Sequence, residues 1–167
     1  MQSRYVPFLL ALLVAALDRV TKIAARTSLS PYIGVPIIPG YVRFIHTENP
    51  GAAFSFLSEG NPFLRGIVLI GVSLIVLFLV IRTLWENKPA FSAAVVRLGL
   101  AFVLGGAAGN LYDRVLHGTV TDFIEVYHKA WSFPVFNIAD SAITVGAILI
   151  LFDMLILNRV APSAAHK

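Results

Sequence analysis

Residues 66–84 read GIVLIGVSLIVLFLVIRTL, an apolar run broken by a single charge at Arg82. A helix of about 20 mostly apolar residues is what the hydrocarbon core of a bilayer requires. Composition agrees. The 167-residue chain is 57% hydrophobic and only 13% charged, whereas soluble domains sit near a quarter charged. Three further segments have the length to span: Tyr5–Ala25, Phe91–Leu111 and Ile138–Leu157. Tyr5, Trp85, Tyr112 and Trp131 fall near span ends, where amphipathic rings settle at the headgroup level. The length suits one domain covering 1–167.

The first run begins like a secretory signal peptide, with Arg4 ahead of an apolar stretch. No small-x-small cleavage site follows, and the stretch continues through Asp18 and Lys22, so it is read as a retained span. Four spans place both termini on one side. The long connections 26–65 and 112–137 then share the other side, opposite a short link at 85–90. Basic residues divide almost evenly between the two, which leaves orientation open. In the first loop, Tyr41–Leu57 reads as two short strands, one with Val42 and Phe44, the other with Ala53, Phe54 and Phe56. The turn signal ENPG at 48–51 joins them. The second loop is expected to combine a strand with a short interfacial helix, anchored in the headgroups by Phe123, Trp131 and Phe133. The expected fold is an all-α polytopic membrane protein with four transmembrane helices, plus a small β-sheet and a short interfacial helix on the outer side.

Several chemistries are excluded or unsupported. There is no cysteine, so disulfides, thiol nucleophiles and Cys-ligated metals are out. His46, His117, His128 and His166 show no HExxH spacing, and neither a Walker A nor a GxGxxG motif is present. No metal or cofactor is expected. A Ser–Lys dyad of Lys22 with Ser28 or Ser55 has no motif behind it. The net charge of +4 is scattered without a basic run, which fits interfacial Arg and Lys and not a nucleic-acid surface.

Ionisable residues within spans are expensive, roughly 2.5–3.5 kcal/mol each at the helix centre, so each needs a reason. Asp18 and Lys22 share a helix face and can neutralise each other; alternatively they support a nearby site. In GGAAGNLYDR (105–114), Gly105 and Gly109 permit close helix approach. Asn110, Asp113 and Arg114 follow on one face, as an ion pair with interhelical polar glue or as part of a site. Asn137 and Asp140 suit an N-cap and a favourable helix-dipole position. Asp153 reads as structural, beside Asn158 and Arg159. Asp122 lies on the same membrane side as Asp140, among Val120, Phe123 and Ile124. Two close carboxyls in an apolar setting do not both ionise easily, so the pair offers a base and an acid together. That is the chemistry of aspartic peptide hydrolysis. A transporter or channel would also use intramembrane acids, and a scaffold would use them only as glue. A conduction path would distribute acids through the bilayer, whereas Asp113, Asp122 and Asp140 gather at one face.

With these motifs in order, the chain resembles the lipoprotein signal peptidases (signal peptidase II), the bacterial aspartic peptidases that process prolipoproteins. The likeness covers nearly the whole chain. It rests on Asp-x-x-Thr-Lys at 18–22, NPGAAFS at 49–55, GNLYDR at 109–114, VTDF at 120–123 and FNIAD at 136–140. Arg19, where many relatives carry Gln, and Pro50, where Thr is frequent, depart from the pattern. The resemblance implies Asp122 and Asp140 as the catalytic pair. It implies Asn49, Asn110, Asp113, Arg114 and Asn137 as the surrounding polar shell, with Asp18 and Lys22 as support. It implies a diacylglyceryl-prolipoprotein substrate cut just before the lipidated cysteine, membrane lipid as the surroundings, and inhibition by globomycin-type cyclic peptides. It further implies residence in the bacterial cytoplasmic (inner) membrane, both termini cytoplasmic and the site extracytoplasmic. A monomer is expected.

Overall fold

The computed structural model describes residues 4–51, 61–86 and 94–157. In order, α1 is Val6–Ser28, β1 Val35–Ile38, β2 Val42–Asn49, α2 Pro62–Glu86, α3 Ala94–His117, β3 Val120–His128, β4 Trp131–Ser132 and α4 Ile138–Phe152. A π-helical turn, Asp153–Leu157, continues α4. The strands form one antiparallel sheet in the order β1-β2-β3-β4.

Burial is inverted relative to a soluble protein. Lys22, Asn137, Asp18, Asp113 and Asp122 are among the most buried large side chains, while Leu9, Leu12, Leu74, Phe78 and Ile148 are exposed. Apolar side chains outside and hydrogen-bonded polar ones inside is the arrangement lipid requires. Three helices, Pro62–Glu86, Ala94–His117 and Ile138–Ile156, are long and apolar enough to cross a membrane. α1 has the length, 23 residues, but Asp18, Arg19, Lys22 and Arg26 crowd its second half.

α3 is the central helix. Its glycines let it touch neighbours backbone to backbone. A Cβ at Gly105 would meet the Ala11 carbonyl oxygen of α1 at 2.5 Å, and one at Gly99 would meet the Gly146 oxygen of α4 at 2.7 Å. The expected close approach at Gly105 and Gly109 is thus made by α1, where Gly109 leaves room for the Asp18 side chain.

Several expected boundaries move. α3 runs to His117, past the expected end at Leu111, because no breaker intervenes before Gly118, which takes φ 74°. GNLYDR is therefore helical. α2 starts at Pro62, earlier than Gly66. In the first loop, β2 continues through Glu48 and Asn49 and pairs with β1 and β3; Ala53, Phe54 and Phe56 lie outside the described residues. The turn signal acts later than expected, where Asn49 Oδ1 accepts the Gly51 N–H at 2.9 Å.

No short interfacial helix occurs among the described residues of the second loop. β-branched and aromatic residues at 120–127 make β3 instead. Phe123 is buried and packs edge-on against Phe44, with centroids 5.9 Å apart, so it is a core residue and not a headgroup anchor. Trp131 is exposed. Asp153 is buried where α4 passes into its π-helical turn; Asn158 and Arg159 lie outside the described residues.

Candidate active site

Two backbone devices bring the acids together. The β2–β3 register sets Thr47 opposite Asp122 and Asn49 opposite Val120. Past β4 the chain returns to β3. The Phe136 carbonyl accepts the N–H groups of Phe123 (3.0 Å) and Ile124 (2.8 Å), and Phe136 N–H donates to Ile124 O at 3.0 Å. This clamp fixes where α4 begins. Asn137 caps it in a capping box: its Oδ1 accepts the Asp140 N–H at 2.9 Å, and Asp140 Oδ2 accepts the Asn137 N–H at 3.3 Å. Asp140 therefore sits in the first turn, beside β3.

Three asparagines hold the carboxylates. In each, the donor on the amide oxygen decides where the NH2 points. Asn137 gives its oxygen to the cap, so its NH2 reaches Asp122 Oδ1 at 2.6 Å. Asn49 gives its oxygen to Gly51 N–H, and its NH2 reaches Asp122 Oδ2 at 3.0 Å. Asn110 accepts from Lys22 Nζ at 2.8 Å and donates to Asp140 Oδ1 at 2.8 Å.

Both acids line a cavity of about 820 Å³. Asn49, Asn110 and Arg114 share its polar end, while Val76, Val103 and Ile143 line the part that runs down between α2, α3 and α4. Arg114 donates to the carbonyls of Asn110 (3.4 Å) and Gly51 (3.3 Å). Its buried Nε makes no hydrogen bond among the described residues. Burial foremost, and then the charge of Asp140, push the Asp122 carboxyl up to about 7, against the opposing effect of the Asn49 and Asn137 amides. Near neutral pH this carboxyl can hold or release a proton, which acid–base chemistry at a peptide bond needs.

Asp113 stands apart. It is fully buried and does not line the cavity. It faces Arg19 (3.3 Å), Lys22 (3.3 Å) and Arg26 (3.5 Å) and accepts the Thr121 N–H at 3.3 Å. It ties α1 to α3 and β3. Arg19 also lies over the Tyr112 ring of α3 at 4.6 Å, which serves the same tie. The Asp18–Lys22 pair forms at 2.8 Å, and Asp18 Oδ1 also accepts the Ala139 N–H at 2.9 Å, adding a second cap to α4. Lys22 Nζ is thus surrounded by Asp18, Asn110 and Asp113.

Glu48, Arg26 and Thr121 were not anticipated. Arg26 donates to Thr121 Oγ1 (2.6 Å) and lies 3.4 Å from Glu48. Burial raises the Glu48 carboxyl, but hydrogen bonds from Thr119 and His46 together with the Arg26 charge bring it below its ordinary value. The available signal was Arg26 in the last turn of α1, a basic residue with more than the helix end to satisfy.

Fold and site together define a helical membrane protein with a paired-carboxyl cavity beside a small antiparallel sheet. Two solved structures, each described as a bacterial membrane enzyme determined by the in meso method, share the fold. One, at 2.3 Å resolution, superposes with a TM-score of 0.80 at 28% identity, covering 96% of this chain and 93% of that one. The other, at 1.9 Å, gives 0.75 at 31% identity over 90% and 92%. The sequence is 40% identical to the lipoprotein signal peptidase of Ectopseudomonas mendocina over 95% of this chain and 92% of that one. It is 36% identical to that of Solibacter usitatus over 97% and 98%. Residues 10–156 match the family described as Signal peptidase (SPase) II. The chain belongs to the signal peptidase II family, and so to the peptidases.

Proposed function

We propose that this protein is a single-domain membrane aspartyl endopeptidase that removes the signal peptide from diacylglyceryl-modified prolipoproteins, cutting just before the lipidated cysteine. The observation that carries the reading is the cavity on which Asp122 and Asp140 meet, each hydrogen-bonded by asparagine N–H groups whose orientation is fixed. The apolar wall of α2, α3 and α4 suits the hydrophobic part of a signal peptide, and the polar end then receives the scissile bond.

In the mechanism, the ionised carboxyl of the pair takes a proton from water as the water oxygen bonds to the scissile carbonyl carbon. The protonated partner stabilises the developing oxyanion by hydrogen bonding. Proton transfer to the peptide nitrogen then lets the cysteine amine leave as the C–N bond breaks. Arg114, which lines the polar end, supplies positive charge where the oxyanion forms.

α1 serves as a fourth span, its charges neutralised by Asp113, Glu48 and each other. The sheet then lies on the extracytoplasmic face of the bacterial inner membrane, both termini are cytoplasmic, and the molecule works as a monomer open to globomycin-type peptides. The clustering of Asp113, Asp122 and Asp140 at one end speaks against a conduction path.

The test offers the purified protein in lipid a prolipoprotein with and without its diacylglyceryl group and maps the products by mass spectrometry. Cleavage before the cysteine of the lipidated form alone is expected. Equal cleavage of both forms would overturn lipid-dependent recognition.

A further inference from the structure

The three asparagines around the acids differ in what orients them. Asn49 and Asn137 have their oxygens held by backbone N–H groups two and three residues away, so local geometry alone sets them. Asn110 lies in mid-helix, where no free backbone N–H is available. Its oxygen is held by a side chain of another helix, Lys22 Nζ at 2.8 Å, with a longer contact from Asn137 Nδ2 at 3.3 Å. Lys22 is completely buried. Its ammonium is used up by Asp18 (2.8 Å), Asn110 (2.8 Å) and Asp113 (3.3 Å), and it does not line the cavity.

We propose that Lys22 is a positioning residue: its ammonium locks Asn110 in the one amide orientation that donates to Asp140, without touching substrate. The inference rests on Asp122 and Asp140 being the catalytic pair. Without the ammonium, the Asn110 oxygen keeps only the longer Asn137 Nδ2 contact at 3.3 Å, and the amide can turn. Its carbonyl then faces Asp140 Oδ1, a repulsive contact between two acceptors that turns the carboxylate out of place.

The charged groups around the Asp122–Asp140 pair come from three elements: Asp18 and Lys22 from α1, Glu48 from β2, and Asp113 and Arg114 from α3. Arg19 and Arg26 of α1 are engaged with Asp113. Lys22 also lowers the proton affinity of Asp122 through space. Its removal therefore lets Asp122 hold its proton to higher pH.

The experiment uses the full chain in lipid nanodiscs with a lipidated prolipoprotein as probe. Every Lys22 variant carries Asp18→Asn, so that no buried carboxylate is stranded and the Ala139 N–H keeps its acceptor; Asp18→Asn alone is the reference. Adding Lys22→Met should leave KM near the reference and lower kcat about 10²-fold, the scale of a slightly misplaced catalytic group. The alkaline limb of kcat should move to higher pH. Lys22→Gln, which restores a neutral donor, should recover about tenfold of the loss and remains measurable if the Met variant folds poorly. In an Asn110→Ala background, Lys22→Met should cost no further kcat, because coupled residues are non-additive. A kcat within about threefold of the reference, or losses that multiply in the Asn110→Ala background, would overturn the proposal. Asp122→Asn and Asp140→Asn run alongside. If they turn over substrate, the catalytic pair itself is wrong; if they are inactive while the Lys22 variants are normal, only the positioning role falls.

Discussion

Replacing Asp122 by Asn should stabilise the protein at alkaline pH and not at acid pH. The carboxyl stands at an ordinary 3.8 in the unfolded chain and about 7 in the fold, chiefly because burial disfavours its charge. Between these values the folded state binds a proton that the unfolded state has released, so stability falls as pH rises through the window. Below 3.8 the carboxyl contributes no penalty. Well above 7 the penalty is full, about 4 kcal/mol at 1.36 kcal/mol for each tenfold difference in proton affinity. Asparagine never ionises, but it cannot satisfy both amide donors. The NH2 groups of Asn49 and Asn137 each reach one Asp122 oxygen, and one of them would face an NH2 instead, a loss of about 1–2 kcal/mol. The net gain at pH 8.5 is then about 2–3 kcal/mol, or roughly 5–10 °C in Tm for a chain of this size. At pH 4 the variant should be slightly less stable than wild type. Thermal unfolding in detergent across pH 4–9 measures this directly. A Tm difference that does not change with pH, or that grows toward acid pH, would refute the assignment of strain to a buried carboxylate.

Other consequences follow from the same geometry. The alkaline limb of kcat/KM should lie near pH 7, where the pair loses its shared proton; a rate flat to pH 9 would contradict this. Asn137→Ala removes both the α4 cap and a donor to Asp122, and should lower stability by about 1–2 kcal/mol as well as kcat, read by thermal melts and turnover. Gly99→Ala forces a methyl against Gly146 O and Ile150 Cγ1, at 2.7 and 2.8 Å, and should destabilise the α3–α4 contact by about 1–3 kcal/mol. A Tm equal to wild type would mean that the helices are not packed this closely.

The apolar runs were legible because lipid makes a simple demand: a long stretch without charge. α2, α3 and α4 follow from that. α1 was harder: the Asp18–Lys22 pair is local, but Arg19, Lys22 and Arg26 meet Asp113, Asn110, Glu48 and Thr121 only in three dimensions, on α3 and on strands distant in sequence. The motifs located Asn49, Asn110, Asn137, Asp122 and Asp140; the structure brings Asn49, Asn110, Asp122 and Asp140 to one cavity and buries Asn137 against Asp122. It separates Asp113 from them, although GNLYDR gave no reason to divide Asp113 from Asn110. One turn of helix decides it, by turning Asp113 toward α1. The sheet was only half legible. β1 and the β2–β3 register depend on long-range pairing, and no local pattern shows that Glu48 and Asn49 continue a strand beyond their turn-like composition. Phe123 misled because an aromatic beside a membrane reads equally as anchor or as core.

The central claim is that Asp122 and Asp140 are the catalytic pair. It is tested most directly by turnover of a lipidated prolipoprotein by wild type, Asp122→Asn and Asp140→Asn, each shown to be folded by its thermal transition. The account predicts cleavage before the lipidated cysteine by wild type and no detectable cleavage by either folded variant. Wild-type turnover by either one would contradict it.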